Sequence, residues 1–357
     1  MQADTLLISA SFFGYAKEVK ACLERRGRKV LWFEDRPSID TMTKTMIRLA
    51  PSLVAERSEA YFDSIIAQLP CQNIRDVFVI KGEALSVAAI SRLRRALPRA
   101  HFTIYFWDSY RNMPPETRHK VDHFDQAFTF DPLDAKSDRR LSYRPLFFLP
   151  DFAALPECEK DIDVLFLGTI HTDRYAVLRR IEKVLPKELN LAKIMYFPSR
   201  YIYHFRRIFD TSFRRSSPSD FEFRPLDRTE IISLIARARI LIDIERPIQS
   251  GYTMRTIEAL GAGKKLVTTN RLVAEADFYN PNNILIVDRR RPVLSEAFLS
   301  AAFEVPPANV SYRYSLEGFV DEIFLQSARL RSGQKVSARV DPPKQAHVAK
   351  APIEIAQ

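Results

Sequence analysis

The chain has 357 residues, 46% of them hydrophobic, with 25 Phe and 13 Tyr, which excludes a disordered composition and makes two domains the expected size. Its 54 Lys and Arg against 44 Asp and Glu give a net charge of +10, which favours anionic partners: nucleic acid, an anionic membrane face or a phosphorylated substrate. Cys22, Cys71 and Cys158 are far apart, and the 6 histidines show neither HExxH nor paired spacing, so reduced core thiols and no structural metal site are expected. No apolar run reaches the roughly 20 residues of a membrane span. Residues 1–10 carry Asp4 and no basic stretch, so they read as a first buried strand rather than a signal peptide, and a cytoplasmic setting is expected.

Residues 5–9 are a short apolar run, the pattern of a buried parallel strand. Residues 11–14 form a turn. A helix follows at 15–26, with Ala16, Val19 and Leu23 on one face and Gly27 as its stop. The second strand is 29–33, and Glu34-Asp35-Arg36-Pro37 follows its C-terminal end, where ligands gather in open α/β sheets. Residues 38–70 read as helical with a break at Pro51. Strands at 76–80, 101–106 and 125–130 end in Lys81-Gly82-Glu83, Trp107-Asp108-Ser109 and Asp131-Pro132, with a basic helix at 86–97. This alternation makes residues 1–155 a doubly wound domain.

A polar, proline-containing stretch at 153–161 is the expected linker, and a second α/β domain spans 160–310. It opens with a strand at 163–167, a loop at 168–172, a helix at 174–184 and a strand at 191–196. Residues 196–215 interleave aromatics with Arg200, Arg206, Arg207, Arg214 and Arg215. They suit a surface for anionic lipid or, more plainly, a helix with core aromatics and solvated arginines. Next come a helix at 227–237, a strand at 240–244, a loop containing Ser250-Gly251 and a helix starting near Thr253. Met254, Ile257 and Leu260 form that helix's apolar side, and Gly261 and Gly263 end it. Strands at 265–269 and 283–287 and a helix near 293–303 complete the domain. The last helix is 311–331, with Phe319, Ile323 and Leu325 for packing. Residues 332–357 read as a disordered tail.

The chemistry concentrates at the helix start near Thr253. A helix N-terminus offers unpaired N–H groups and a partial positive charge, which suit a phosphate. Ser250, Gly251 and Thr253 add donors, and Arg255 adds a cation. Glu258, one turn further on, suits a ribose diol. Together they suggest a nucleotide; the plain alternative is a capped crossover helix. GxGxxG, GxxxxGK[ST] and GxSxG are absent, against a dinucleotide-binding dehydrogenase, a P-loop NTPase and a serine hydrolase. Asp35, Glu83 and Asp108 each follow a strand of the first domain and are candidate general bases. Asp108, between Trp107 and Ser109, ranks first; each is otherwise an ordinary loop carboxylate.

The run Thr253-Met-Arg-Thr-Ile-Glu-Ala-Leu-Gly-Ala-Gly-Lys-Lys-Leu-Val-Thr-Thr-Asn270 resembles GT-B glycosyltransferases. Phe13-Gly14-Tyr15, residues 32–37 and Asp163-Val-Leu-Phe-Leu-Gly-Thr-Ile-His171 share the likeness. It is greatest to bacterial enzymes of capsular and lipopolysaccharide biosynthesis. The resemblance implies two Rossmann-like doubly wound domains facing a cleft, with the nucleotide-sugar donor on the C-terminal domain and the acceptor on the N-terminal one. It assigns Glu258 to the ribose and Gly251, Tyr252 and Thr253 to the diphosphate, with Arg255 as a cation beside them. His171 and Arg174, beyond Gly168, stand nearest to a basic position of the family. The implied partners are a nucleotide-sugar, as co-substrate rather than cofactor, and a glycan or glycolipid acceptor. No metal is needed. The expected location is cytoplasmic, with a peripheral contact to an anionic inner membrane expected from the aromatic–arginine stretch at 196–215. A non-catalytic nucleotide- or carbohydrate-binding protein on the same scaffold is the alternative. Nucleic acid is not expected, because base-stacking motifs are missing. One departure stands out: many retaining relatives carry two glutamates with seven residues between them, and the position upstream of Glu258 is Ser250.

Overall fold

The computed structural model describes residues 3–11, 14–37, 55–70, 73–214 and 216–331. Phe12, Phe13, the break expected at Pro51, Cys71, Arg215 and the tail from residue 332 lie outside the described residues.

Two parallel sheets carry the chain. The first contains β1 (Thr5–Ser9), β2 (Val30–Phe33), β3 (Asp76–Ile80), β4 (His101–Phe106), β5 (Gln126–Thr129) and β6 (Leu141–Tyr143), in the order β2-β1-β3-β4-β5-β6. The second contains β7 (Ile162–Thr169), β8 (Leu191–Tyr196), β9 (Ala238–Asp243), β10 (Lys265–Thr268) and β11 (Ile284–Ile286), in the order β11-β10-β9-β7-β8. In both, the chain starts mid-sheet, steps to one edge and returns past its starting strand. That reversal leaves a crevice at the C-terminal ends of β1 and β3, and another at those of β7 and β9.

Every residue of β1, β3 and β4 is buried, because helices cover both faces of a parallel sheet. Alternation sends Val77 and Val79 of β3 to one face, against Phe62, Ile90 and Leu93. Phe78 and Ile80 point to the other, against Val19, Leu23 and Phe319. This second layer runs on through Phe147 and Phe148 to Leu241 and Leu266 of the second sheet and to Ile257 of the helix packed on it. A separate cluster on the far face of that sheet joins Phe166, Ile242 and Val267 to Val177, Leu178 and Phe213.

The last described helix, Leu316–Arg331, returns to the first sheet. Phe319 meets Tyr105 edge-on with ring centroids 4.8 Å apart, and lies tilted against Phe147 at 4.3 Å. Arg26 pairs with Asp321, and Arg25 lies 3.2 Å from Glu317. Two details differ from the sequence reading. The helix expected from 311 is split into Ala308–Arg313 and Leu316–Arg331. Phe148 N donates to Tyr314 O and Leu316 N donates to Phe148 O, at 2.8 and 3.0 Å, so backbone groups a continuous helix would use are taken by a strand-like bridge. Leu325, expected to pack, is 57% exposed. Cys22 is buried as expected, but Cys158 is exposed. No described helix is long and apolar enough to cross a membrane.

The return helix is therefore part of the core. Phe319→Ala is expected to cost about 3–5 kcal/mol, whereas Leu325→Ala stays within about 0.5 kcal/mol. Urea unfolding of the two variants measures the contrast.

Candidate functional site

The two crevices face each other across one cleft of about 700 Å³. The first sheet contributes Gly14 and Tyr15 after β1, Lys81 after β3, and Trp107 and Asp108 after β4. The second contributes Gly168, Thr169, Asp243, Thr253, Arg255 and Glu258. The loop before the Arg228–Arg237 helix closes one side with Glu222, Arg224 and Leu226. The two non-glycine residues described with left-handed backbone, Lys81 at φ 69° and Thr172 at φ 47°, follow β3 and β7. Such backbone is uncommon outside functional loops.

The helix start is built as the sequence suggested. Thr253 caps the Met254–Gly261 helix by accepting from Thr256 N at 3.2 Å. Both threonine hydroxyls donate to Asp243 Oδ2, each at 2.7 Å. Gly263, at φ 58°, follows the helix end. Arg255 and Glu258, one turn apart, form an ion pair at 2.7 Å. Across the cleft, Tyr15 donates its hydroxyl to Glu258 Oε1 at 3.3 Å. Burial pushes the Glu258 carboxyl above its ordinary range, opposed by Arg255 and by the Tyr15 hydrogen bond.

Arg174 lines the cleft, with its fork tied to main chain. Nε donates to Ile244 O at 2.7 Å and Nη1 to Thr169 O at 2.8 Å. It thereby clamps the ends of β7 and β9 together. Burial lowers its pKa to about 10, so it remains cationic at neutral pH. A side chain on Gly168 would crowd this guanidinium, 3.3 Å from an added Cβ.

Several expected contacts fall elsewhere. Gly251 sits in the seam between the halves: an added Cβ would lie 2.5 Å from the Phe130 ring and 2.8 Å from Phe130 O. Tyr252 is 2% exposed and packs edge-on against Phe278. Neither lines the cleft, because the loop before Thr253 is drawn against the first half. Ser250 Oγ donates to Asp131 there, so the position of the missing glutamate serves as an interdomain tie. Glu245, the next glutamate upstream, is buried and engaged by Arg289 at 2.6 Å. His171 also lies off the cleft lining. Burial, helped by Arg174 and Arg246, lowers its pKa to about 3, so it brings no positive charge to a diphosphate.

Of the three candidate bases, the cleft lining includes Asp108 alone. Lys81 Nζ lies 2.6 Å from Asp108 Oδ2. Asp35 is fully buried, paired with Arg36 at 2.9 Å, and burial raises its carboxyl. Glu83 faces the same cluster, 3.5 Å from Arg36. Lys120 completes it by donating to Gly82 O at 2.8 Å, with its pKa lowered by burial to about 8. Asp35 and Glu83 thus brace the loop that carries Lys81. Tyr15, Lys81 and Asp243 were given no site role from sequence, although Lys81 and Asp243 stand at or just after the end of a strand and Tyr15 opens the helix that follows β1. Among the described residues, no group of three or more His, Cys, Asp or Glu could hold a metal ion.

No protein-family model matches the chain, and no curated protein matches it in sequence. Solved structures do match in shape. A glycosyltransferase from Rickettsia africae superposes with a TM-score of 0.59 at 14% identity, covering 92% of this chain and 99% of its own. OtsA in its apo form gives 0.61 at 10% identity, covering 91% and 99%. HepE from Anabaena, solved with UDP and glucose, gives 0.56 at 11% identity over the same shares. The fold is GT-B. In that frame the helix start at Thr253 and the Asp108 loop belong to opposite domains and meet at one GT-B cleft.

The neutral His171 has a pH signature. Its ordinary pKa of 6.5 falls to about 3 in the fold. The native state then binds fewer protons than the unfolded chain between those values. The stability it contributes is complete above pH 6.5 and declines as pH falls toward 3. His171→Asn should flatten the slope of melting temperature against pH on the acid side; an unchanged slope would contradict the neutral, half-buried ring.

Proposed function

We propose that the chain is a glycosyltransferase that moves a sugar from a nucleotide-sugar to a cell-surface glycan or glycolipid, polysaccharide or lipopolysaccharide in class. The observation that carries this reading is the pairing across one cleft of a capped helix start with Arg255 and Glu258, on one side, and the Lys81–Asp108 pair on the other. In this reading Glu258 accepts hydrogen bonds from the ribose hydroxyls, and the N–H groups after Thr253 bind the diphosphate. Asp108 takes the proton of the acceptor hydroxyl as its oxygen attacks the anomeric carbon. The bond from that carbon to the diphosphate oxygen breaks, and the nucleoside diphosphate leaves. Negative charge grows on the leaving oxygens, where the helix start, Arg255 and Arg174 oppose it without calling on a metal ion. Lys81 orients Asp108 through their 2.6 Å contact.

A thermal-shift screen of UDP-, GDP-, CMP- and TDP-sugars identifies the donor, since a ligand of the native state raises its melting temperature. With that donor, Glu258→Ala should weaken nucleotide binding at least about tenfold, or 1.4 kcal/mol, with an unchanged circular dichroism spectrum. Asp108→Asn should leave donor affinity intact and lower turnover by about 10²–10⁴-fold. Unchanged calorimetric affinity in Glu258→Ala removes the nucleotide assignment. Binding without transfer or hydrolysis of any donor favours the non-catalytic alternative.

A further inference from the structure

The Arg200–Phe209 helix is mounted with its apolar side outward. Its sequence is RYIYHFRRIF, capped by Ser199, whose hydroxyl accepts from Ile202 N at 3.2 Å. Only Tyr203 is buried. That ring sits edge-on to Phe197 and tilted against Phe221, and its hydroxyl donates to Ser216 O at 3.0 Å. The other large apolar residues face solvent: Tyr201 is 88% exposed, Ile208 72%, Phe209 71%, Phe205 63% and Ile202 47%. At roughly 100° per residue these five share an arc of about 120°, nearly opposite Tyr203. The sequence alternative of core aromatics holds for Phe197, Tyr203 and Phe213 but not for Tyr201, Phe205 and Phe209: within the helix one aromatic anchors it and the rest leave the core.

The charge carried by the helix is of one sign, and Asp210, just past its end, is paired with Arg206 at 3.3 Å. Arg200 and Arg207 are exposed on one flank, Arg206 lies on the other, and exposed Arg214 follows in the next turn. The helix itself holds no acidic residue. Two copies docked face to face would bring arginines together without partners on the helix, whereas anionic headgroups would match them. A broad apolar arc of Phe, Ile and Tyr rimmed by arginine is the pattern of a helix lying in a bilayer interface.

We propose that the exposed face of the Arg200–Phe209 helix docks the protein onto an anionic lipid bilayer. The contact has a definite place relative to the cleft. Arg206 Nη2 donates to Thr172 O at 2.6 Å, in the loop after β7, and Tyr196, just before the helix, lines the cleft. A bilayer held by this face meets the rim of the cleft on the side of the second sheet.

Flotation of the full chain with phosphatidylcholine vesicles containing about 30% phosphatidylglycerol tests this. The protein is expected to float with these vesicles, to bind pure phosphatidylcholine at least tenfold more weakly, and to be released by salt. Phe205→Asp with Phe209→Asp should lower binding at least tenfold, and Arg200→Glu with Arg207→Glu should remove the preference for anionic lipid. Both variants alter exposed side chains, so unchanged melting temperatures check the fold. Absence of wild-type binding, or binding that both variants leave untouched, overturns the proposal. A dimer that Phe205→Asp with Phe209→Asp dissolves, without vesicle binding, overturns it in favour of a second copy of the chain.

Discussion

The Asp243 carboxylate governs the geometry of the second half. It stands at the end of β9, 3% exposed, and accepts from the hydroxyls of both Thr253 and Thr256. A buried carboxylate needs such donors, and here the donors are the cap of a helix and the residue three positions on. The helix start is thereby fixed to the strand end. The direction of its first turn follows, and with it the placement of Arg255 and Glu258 toward the cleft. Arg174 does the equivalent work from the other side, joining β7 to the loop after β9 through two carbonyls.

A second constraint joins the halves. Arg228, on the second half, reaches Glu18 at 2.8 Å and Asp151 at 2.7 Å. Tyr15 meets Glu258, and Ser250 meets Asp131. The return helix adds a continuous apolar layer, so the seam is both polar at the cleft and packed behind it. The buried cluster of Asp35, Arg36, Glu83 and Lys120 stiffens the loop facing this seam from the first half. Carboxylates that look like candidate bases in sequence therefore act at one remove, holding Lys81 and through it Asp108.

Much of the fold was legible because parallel strands buried on both faces give unbroken apolar runs. β1, β3 and β4 follow the expected bounds for that reason, and the capped helix at Thr253 follows from its hydroxyl and its trailing glycines. β6 was not read: three residues carry no period. The break before Leu316 was invisible because its cause is Phe148, far upstream. The misplacement of Gly251 and Tyr252 has the same origin, since Phe130 and Asp131 decide where that loop goes. At the site, residue types and strand ends were readable, but whether a carboxylate faced the cleft or a buried arginine was not. The aromatic–arginine helix is the converse case: its amphipathic pattern was plain, but sequence alone did not say which face met the core.

The central claim is that a nucleoside diphosphate binds at the strand ends and helix start of the second half. Hydrogen exchange of the full chain, with and without the nucleotide-sugar that stabilises it, tests this most directly, since a bound ligand lowers local opening. The account predicts slowed exchange at residues 168–174 and 253–258, with weaker protection at 107–109. Protection confined to other segments, or none at saturating nucleotide, would contradict it.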